Sequence, residues 1–309
     1  MSASPQTPEA VLRRLEWSVV RRLQGLLQGD YRSLFRGHGT DLADIREYQY
    51  YDDVRHIDWN VTARLDTPYV RQHQEDREIT AWFLLDLSPS IEFEAATVSK
   101  RVVLAEFTAV LSRLLTGKGN RVGALLFSAG VERLVPAASG RRQVLHLLDV
   151  IFKHRVSRSA PSTDLGKALD DAARMIRRRS VVFVVSDFIT TGEWEKSLGR
   201  LALKHEVVAV RLFDPLETQL PDLGLVTFQD SETGEQVFVD THDKGFRSRF
   251  VRIAAEREGK LRQAFASAGV DALELSTDDD LVDAIMNFAQ MRKRRIAAFS
   301  GNMPTEMAS

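Results

Sequence analysis

Residues 82–90 read WFLLDLSPS, an apolar run that ends in an aspartate and two serines. The run begins at Ile79 and is almost wholly apolar through Leu85, which is typical of a β-strand covered on both faces of a sheet. A second run of this kind, residues 181–185, is followed by Ser186 and Asp187. Asp187 therefore comes just after the second run, as Asp86 comes after the first. The sequence therefore predicts two buried strands with an aspartate just beyond each.

Helical and extended patterns alternate around these two runs. Apolar periodicity predicts helices over 97–115, 141–153, 164–178, 193–204, 243–268 and 279–294, and further strands over 122–128, 131–135, 206–212 and 271–275. A β-hairpin turning at 232–234 is predicted near 224–240. This alternation predicts an α/β fold with a doubly wound, mostly parallel sheet. Ligands bind such sheets beyond the carboxyl ends of the strands, where Asp86 and Asp187 fall.

Changes in composition suggest how the chain is organised. We expect an N-terminal amphipathic helix within 1–30, an extension rich in arginine and aspartate over 31–78, an α/β domain over 79–295, and a flexible tail over 296–309. The N-terminal helix either packs on its own domain or docks on a partner or a membrane surface. Its apolar stripe consists of Val11, Leu12, Leu15, Val19, Leu23, Leu26 and Leu27.

Composition also excludes several classes of protein. The chain has no cysteine, which rules out disulfides, thiolate zinc sites and cysteine nucleophiles and fits a cytoplasmic location. Lysine and arginine total 42 against 43 aspartates and glutamates, so no basic field argues for a nucleic-acid partner. No apolar run approaches the roughly 18 residues of a transmembrane helix, and the N-terminus lacks a signal-peptide pattern. We expect a cytoplasmic chain without a transmembrane segment.

The DLSPS segment is open to several chemical interpretations. Ser88 and Ser90 lack the flanking glycines of a hydrolase nucleophile elbow, and the chain has no phosphate-binding loop motif. Asp86, placed after a buried strand, resembles the nucleophile of aspartyl-phosphate enzymes, although those enzymes carry a second aspartate where this chain has Ser88. A Mg²⁺-dependent phosphatase that uses Asp86 is therefore the alternative to a binding function.

A metal site is the interpretation that uses all three side chains. Asp86, Ser88 and Ser90 alternate along one loop, so their oxygens can converge on one point. Carboxylate and hydroxyl oxygens are hard ligands that suit Mg²⁺, with Mn²⁺ or Ca²⁺ as further possibilities. Thr163, at a loop-to-helix junction, and Asp187 are candidates for the remaining ligands.

These five residues, in this order and at strand ends, resemble the metal-ion-dependent adhesion site of von Willebrand factor A domains. Pro89 departs from that pattern, which usually has glycine there. Three further segments are similar to a bacterial von Willebrand factor A-like family, domain of unknown function 58: REYQYYDDVRHIDWNVTAR (46–64), RLFDPLETQLPDLGLVTFQDSETGEQ (211–236) and ALELSTDDDLVDAI (272–285). That family is associated with MoxR-type AAA+ ATPases, so the resemblance implies such a partner.

The 46–64 segment has two possible roles. Its arginines and acids can pair bidentately as a scaffold that fixes loops, or they can form a partner-recognition surface. The residues concerned are Arg46, Glu47, Tyr48, Asp53, Arg55, Asp58, Trp59 and Arg64.

Together these features predict a non-enzymatic, metal-dependent protein-interaction module. It would act as an adaptor or co-chaperone of a MoxR-type ATPase and accept an acidic side chain of a protein ligand on its metal. A third interpretation is that the metal site is vestigial and partners bind through other surfaces.

Overall fold

A computed structural model describes residues 7–26, 45–50, 54, 57–65, 67–71, 79–92, 98–155, 163–190, 192–229 and 236–300. By internal contacts the chain divides into two compact units, residues 36–78 and the remainder, 1–35 with 79–309. The larger unit therefore contains the N-terminal helix together with the predicted sheet.

The described part of the larger unit is an alternation of strands and helices. Its helices are α1 (Pro8–Leu15), α2 (Arg21–Leu26), α4 (Lys100–Thr116), α5 (Arg141–Lys153), α6 (Leu165–Met175), α7 (Glu195–Lys204), α8 (Lys244–Ala268) and α9 (Leu281–Ser300). Its strands are β3 (Thr80–Asp86), β4 (Arg121–Phe127), β5 (Val131–Ala138), β6 (Val181–Ser186), β7 (Glu206–Phe213), β8 (Leu225–Gln229), β9 (Gln236–Asp240) and β10 (Asp271–Ser276).

Six of these strands form one sheet in the order β10-β7-β6-β3-β4-β5. All neighbours are parallel except β4 and β5, which are antiparallel. The predicted α/β fold with a mostly parallel, doubly wound sheet is therefore confirmed. The chain leaves β3 toward β4 on one side and returns as β6 on the other, so the strand order switches direction between β3 and β6. Ligands bind open α/β sheets at such a switch point.

Both faces of the sheet are covered by helices. Phe83 and Leu85 belong to a core formed with α1, α4, α5 and α9, whereas Leu84 belongs to a second core formed with α6, α7 and α8. Successive side chains of a strand point to opposite faces, so a strand buried on both must be apolar throughout. This is why the central strands could be recognised as unbroken apolar runs.

The N-terminal helix packs on its own domain. Val11, Leu12, Leu15, Val20 and Leu23 are buried in the α4, α5 and α9 core. Residues 16–20 form a π-helical turn between α1 and α2, and the extra residue in that turn brings Val20 to the buried face. Val19, expected in the stripe, is partly buried, and Leu26 is exposed. Most of the described part of the apolar stripe is therefore covered within this chain, and Leu27 lies outside the described residues.

Some predicted boundaries differ from the structure. Helix α9 continues to Ser300, so the tail expected from residue 296 is helical over its first five residues. Strand β5 extends to Ala138, and α4 begins at Lys100, three residues later than predicted. The antiparallel strands β8 and β9 form the predicted hairpin, whose turn lies outside the described residues. No helix in the described ranges is long and apolar enough to cross a membrane.

The smaller unit contains two short strands, β1 (Ile45–Glu47) and β2 (Tyr69–Arg71), which pair antiparallel. Between them lies α3 (Trp59–Leu65), a helix that the sequence pattern did not predict. Asp58 precedes the helix, and its carboxylate accepts a hydrogen bond from the Val61 N–H at 3.3 Å. An aspartate at this position satisfies one of the free N–H groups of the first turn.

His205 makes the stability of the larger unit sensitive to acid. The side chain is buried between α7 and β7, and within the described part of the chain neither ring nitrogen makes a hydrogen bond. Burial lowers the pKa of His205 below its ordinary 6.5, Lys204 lowers it further, and the Ile176 backbone opposes part of this effect. Because the unfolded chain then binds a proton more readily, stability should fall as the pH drops through about 6.5.

We expect His205→Leu to reduce this acid destabilisation. The histidine contributes up to about 1.4 kcal/mol per pH unit to the dependence of the unfolding free energy. Urea unfolding at pH 7.5, 6.5 and 5.5 measures it, with His146→Gln, an exposed histidine on α5, as the control. An equal pH dependence in wild type and His205→Leu would contradict the assignment.

Candidate metal centre

The loop after β3 holds its three oxygen-bearing side chains in one buried cluster. The Asp86 carboxylate accepts the Ser88 N–H at 3.0 Å, and the Ser88 and Ser90 hydroxyl oxygens lie 3.1 Å apart. Residues 89–92 form a 3₁₀ turn, in which the Ile91 N–H bonds the Ser88 carbonyl at 3.1 Å. Proline fixes φ near −65°, which suits the start of such a turn. Pro89 is therefore compatible with a loop that brings Ser88 and Ser90 together.

The end of β6 meets the same cluster from the neighbouring strand. Leu85 pairs in register with Val185, so Asp86 lies beside Ser186. The Ser186 hydroxyl donates a hydrogen bond of 2.6 Å to the second carboxylate oxygen of Asp86. Both carboxylate oxygens of Asp86 thus accept hydrogen bonds, and the side chain is only 1% exposed. Ser186 is a site residue that sequence reasoning missed, although it adjoins Asp187 in the chain.

Asp187 is held by a strained turn. The Ile189 N–H donates to one of its carboxylate oxygens at 3.0 Å. Between them Phe188 has φ of 56°, the only positive φ of a non-glycine residue in the described chain. A bulky side chain in this left-handed region is unfavourable and persists where packing imposes it. Here the Phe188 ring packs against Trp194 and Phe265, with centroids 5.3 and 4.9 Å away.

A buried lysine binds the other oxygen of Asp187. The Lys100 ammonium lies 2.8 Å from Asp187 Oδ2 and 2.7 Å from Glu217 Oε1. Lys100 is the first residue of α4, and Glu217 lies in the turn that follows β7. Lys100 and Asp187 are each 1% exposed. Sequence reasoning missed both Lys100 and Glu217.

Thr163, in the loop before α6, is linked to this edge of the sheet by a hydrogen bond from the loop that follows β6. It is buried directly before Asp164, the capping residue of α6, and its carbonyl oxygen accepts a hydrogen bond of 2.7 Å from the Thr190 hydroxyl. The loops that carry Thr163 and Asp187 are thereby joined. All five predicted ligands are buried at the carboxyl edge of the sheet or in the loops that border it.

The cluster carries an excess of negative charge. Burial and the nearby Asp187 carboxylate raise the pKa of Asp86 to about 7, against the hydrogen bonds from Ser186 and Ser88. Burial also raises the pKa of Glu217, and Lys100 offsets part of that effect. Burial by itself would lower the pKa of Lys100, but Asp187 and Glu217 raise it above its ordinary value. Of these three acids, Asp187 and Glu217 share the buried Lys100 ammonium.

The donor set fits a divalent cation. Adjacent ligands of an octahedral Mg²⁺ ion, with bonds of about 2.0–2.1 Å, lie about 2.9 Å apart, close to the separation of the Ser88 and Ser90 hydroxyls. A cation there would also offset the charge that raises the pKa of Asp86. Among the described residues, no three histidines or acids form a metal-binding group by themselves. A metal here would therefore be held by the hydroxyls of Ser88, Ser90 and Thr163 together with Asp86 and Asp187.

The signature residues of 46–64 occupy varied positions in the smaller unit. Glu47 ends β1 and is exposed, whereas Tyr48 is half-buried and donates its N–H to the Pro68 carbonyl at 2.8 Å. Asp58 is buried, and Trp59 and Arg64 lie exposed on α3. Asp53 and Arg55 lie outside the described residues, as does the Arg46 side chain. The ion-pair scaffold and the recognition surface both stay predictions.

The fold and this edge cluster define a class: a doubly wound α/β protein with hydroxyl and carboxylate oxygens collected at its topological switch point. The chain belongs to the family described as protein of unknown function DUF58, whose model matches residues 44–260. It is 36% identical over 285 residues to the uncharacterized proteins Rv1480 of Mycobacterium tuberculosis and Mb1516 of Mycobacterium bovis. The alignment covers 92% of this chain and 90% of each relative.

Solved structures with a similar arrangement are more distant. The crystal structure of BatB from Bacteroides thetaiotaomicron is 17% identical, with a TM-score of 0.47, and covers 71% of this chain and 99% of its own. The VWA domain of SpRpn10 is 11% identical, with a TM-score of 0.38, and covers 68% of this chain and 94% of its own.

Proposed function

We propose that the chain is a metal-dependent protein-interaction module, with Mg²⁺ as the ion and with Mn²⁺ or Ca²⁺ as possible substitutes. The observation that carries the proposal is the pair of buried hydroxyls 3.1 Å apart beside Asp86 at the switch point of the sheet. When bound, the ion would supply an electrophilic position that can accept a carboxylate from a protein ligand.

The protein groups around the site favour binding over a chemical step. Ser88, Ser90 and Thr163 offer neutral hydroxyls, which leave most of the charge on a cation. The carboxylates of Asp86 and Asp187 already accept hydrogen bonds from Ser186, Ser88, Lys100 and Ile189. Opposite unit charges about 4 Å apart attract by roughly 1 kcal/mol in water and about 4 kcal/mol at an effective dielectric of 20. An acidic side chain that excludes water there would gain far more than a surface ion pair.

The family resemblance suggests the partner. We infer a cytoplasmic adaptor or co-chaperone of a MoxR-type AAA+ ATPase, without a nucleic-acid partner and without a transmembrane segment. This part of the proposal is supported by membership of the DUF58 family and by the 46–64 signature.

The expected result is that partner capture depends on both metal and Asp86. A pulldown with the cognate ATPase is expected to succeed with Mg²⁺ and to fail with EDTA or with Asp86→Ala. Binding that is indifferent to all three conditions would contradict the metal-bridged mechanism. If a folded Asp86→Ala protein also complemented a deletion strain, the site would be vestigial.

The burial of Asp86 weighs against the phosphatase alternative. A nucleophilic carboxylate must meet phosphorus, yet Asp86 is 1% exposed and both of its oxygens accept hydrogen bonds. Its burial and the neighbouring Asp187 also favour the protonated form, which is a poor nucleophile. Phosphate release from a general aryl phosphate substrate, lost in Asp86→Ala, would support the enzyme instead.

A further inference from the structure

A buried lysine at the first position of a helix is unexpected on local grounds. Cations are unfavourable near a helix N-terminus, where the peptide dipoles leave partial positive charge. Lys100 nevertheless opens α4, directly after the capping residue Ser99, whose hydroxyl accepts the Val102 N–H at 3.4 Å. Departures from local preference concentrate at functional positions. The reason for this lysine therefore lies in what its ammonium contacts.

The Lys100 ammonium joins two loops of the sheet edge. It binds Asp187, beyond β6, at 2.8 Å and Glu217, beyond β7, at 2.7 Å. Both contacts are withdrawn from water, since Lys100 and Asp187 are 1% and Glu217 13% exposed. A buried ion pair is only weak evidence of a gain in stability, because desolvation opposes the attraction. A role in the site explains the arrangement better than stabilisation alone.

Among the residues that the structure describes, the acidic side chains of the cluster outnumber its cations. Its acids are Asp86, Asp187 and Glu217, and the Lys100 ammonium contacts two of them, Asp187 and Glu217. Arg257 also attracts the Glu217 carboxylate, and its half-exposed guanidinium lies 3.4 Å from the Glu217 carbonyl oxygen and 4.0 Å from Glu258. When Asp86 is ionised, Lys100 leaves negative charge on the cluster uncompensated, and a divalent cation would offset it.

We propose that Lys100 is the built-in counter-ion of the metal centre and that it sets the affinity of the site for divalent cations. Its ammonium neutralises Asp187 and Glu217 when no metal is bound, and it competes electrostatically with the incoming ion. Glu217 is not a metal ligand in this proposal. Its carboxylate binds the Lys100 ammonium and so offsets part of the charge that the lysine presents to an incoming ion. Lys100 is thus a positioning and affinity-setting residue. The inference rests on the proposed metal function.

The structure contains a matched control at the N-terminal ends of the strands, opposite to the metal centre. The guanidinium of Arg292, buried on α9, lies 2.9 Å from Glu206 at the start of β7 and 2.9 Å from Asp271 at the start of β10. It too is one cation between two carboxylates, and its side chain is 6% exposed. Since Arg292 is far along these strands from the metal centre, Arg292→Met should disturb stability without changing metal affinity.

Calorimetric titration of the full chain with Mn²⁺ and Mg²⁺ tests the inference. Lys100→Met should bind the ions at least about tenfold more tightly than wild type, because a buried positive charge is removed. Glu217→Gln should bind them at least about threefold more weakly, for the opposite reason. In EDTA, Lys100→Met should melt roughly 5–15 °C below wild type, because two buried carboxylates lose their partner. If Lys100→Met does not fold, the weaker binding expected of Glu217→Gln still tests the proposal.

The possible outcomes separate this inference from the proposed function. Unchanged or weaker binding by Lys100→Met, or tighter binding by Glu217→Gln, would overturn the role of Lys100 while leaving the metal site intact. Binding by Lys100→Met but not by wild type would support the counter-ion and contradict metal dependence of the natural chain. Absence of binding in both proteins would overturn both proposals.

Discussion

Asp86→Asn is expected to lose metal binding and to gain stability in the metal-free state. Affinity for Mg²⁺ should fall about 100-fold or more, because the substitution removes one of the two charged ligands of the cluster. The free energy of unfolding in EDTA near pH 8 should rise by roughly 1–3 kcal/mol, because a carboxylate buried beside Asp187 is replaced by a neutral amide. The amide oxygen can still accept the Ser88 N–H hydrogen bond.

Asp214 offers a closely matched control for this variant. It also follows a buried strand and is 1% exposed. Its carboxylate accepts the N–H of the residue two places on, Leu216, at 2.9 Å and a hydroxyl from Thr277 at 3.0 Å. Asp214→Asn should leave metal affinity unchanged. Equal losses of affinity in Asp86→Asn and Asp214→Asn would show that the effect is not specific to the proposed centre.

Phe188→Ala is expected to lower the free energy of unfolding by about 3–5 kcal/mol, the usual cost of truncating a buried phenylalanine. The ring is 7% exposed and packs between Trp194 and Phe265. The variant should also bind Mg²⁺ more weakly, because the turn at Phe188 orients Asp187. Urea denaturation and metal titration measure the two effects.

Phe188→Gly separates packing from backbone strain. Glycine adopts positive φ without the penalty that alanine shares with phenylalanine, which offsets its own entropic cost of about 0.5–1 kcal/mol. Phe188→Gly should therefore be no less stable than Phe188→Ala. A glycine variant that is about 1 kcal/mol less stable than the alanine variant would contradict a strained turn at this position.

The central strands and the three-residue loop could be predicted because their signals are local. A strand buried on both faces must be apolar throughout, and Asp86, Ser88 and Ser90 are adjacent along one loop. Lys100 and Glu217 could not be found in this way, because only the fold brings Lys100 to Asp187, 87 residues away, and to Glu217, 117 residues away. The unfavourable placement of Lys100 at a helix start gave no signal in the sequence either, because the helix was predicted to begin at residue 97 and begins at Lys100.

Secondary structure was missed where tertiary packing decided it. The π-helical turn at 16–20 shifts the buried face from Val19 to Val20, which a regular 3.6-residue period cannot anticipate. Helix α3 begins at Trp59 after the capping Asp58, but it is short and its apolar residues are partly exposed, so it has no clear periodic stripe.

The most direct test of the central claim is a calorimetric titration of Mg²⁺ into the metal-stripped wild-type chain, repeated with Ser88→Ala/Ser90→Ala. The account predicts saturable binding of one ion per chain to the wild type and none to the double variant at the same concentrations. Absence of binding to the wild type at millimolar Mg²⁺ and Mn²⁺, or equal binding by the double variant, would contradict a metal centre in this loop.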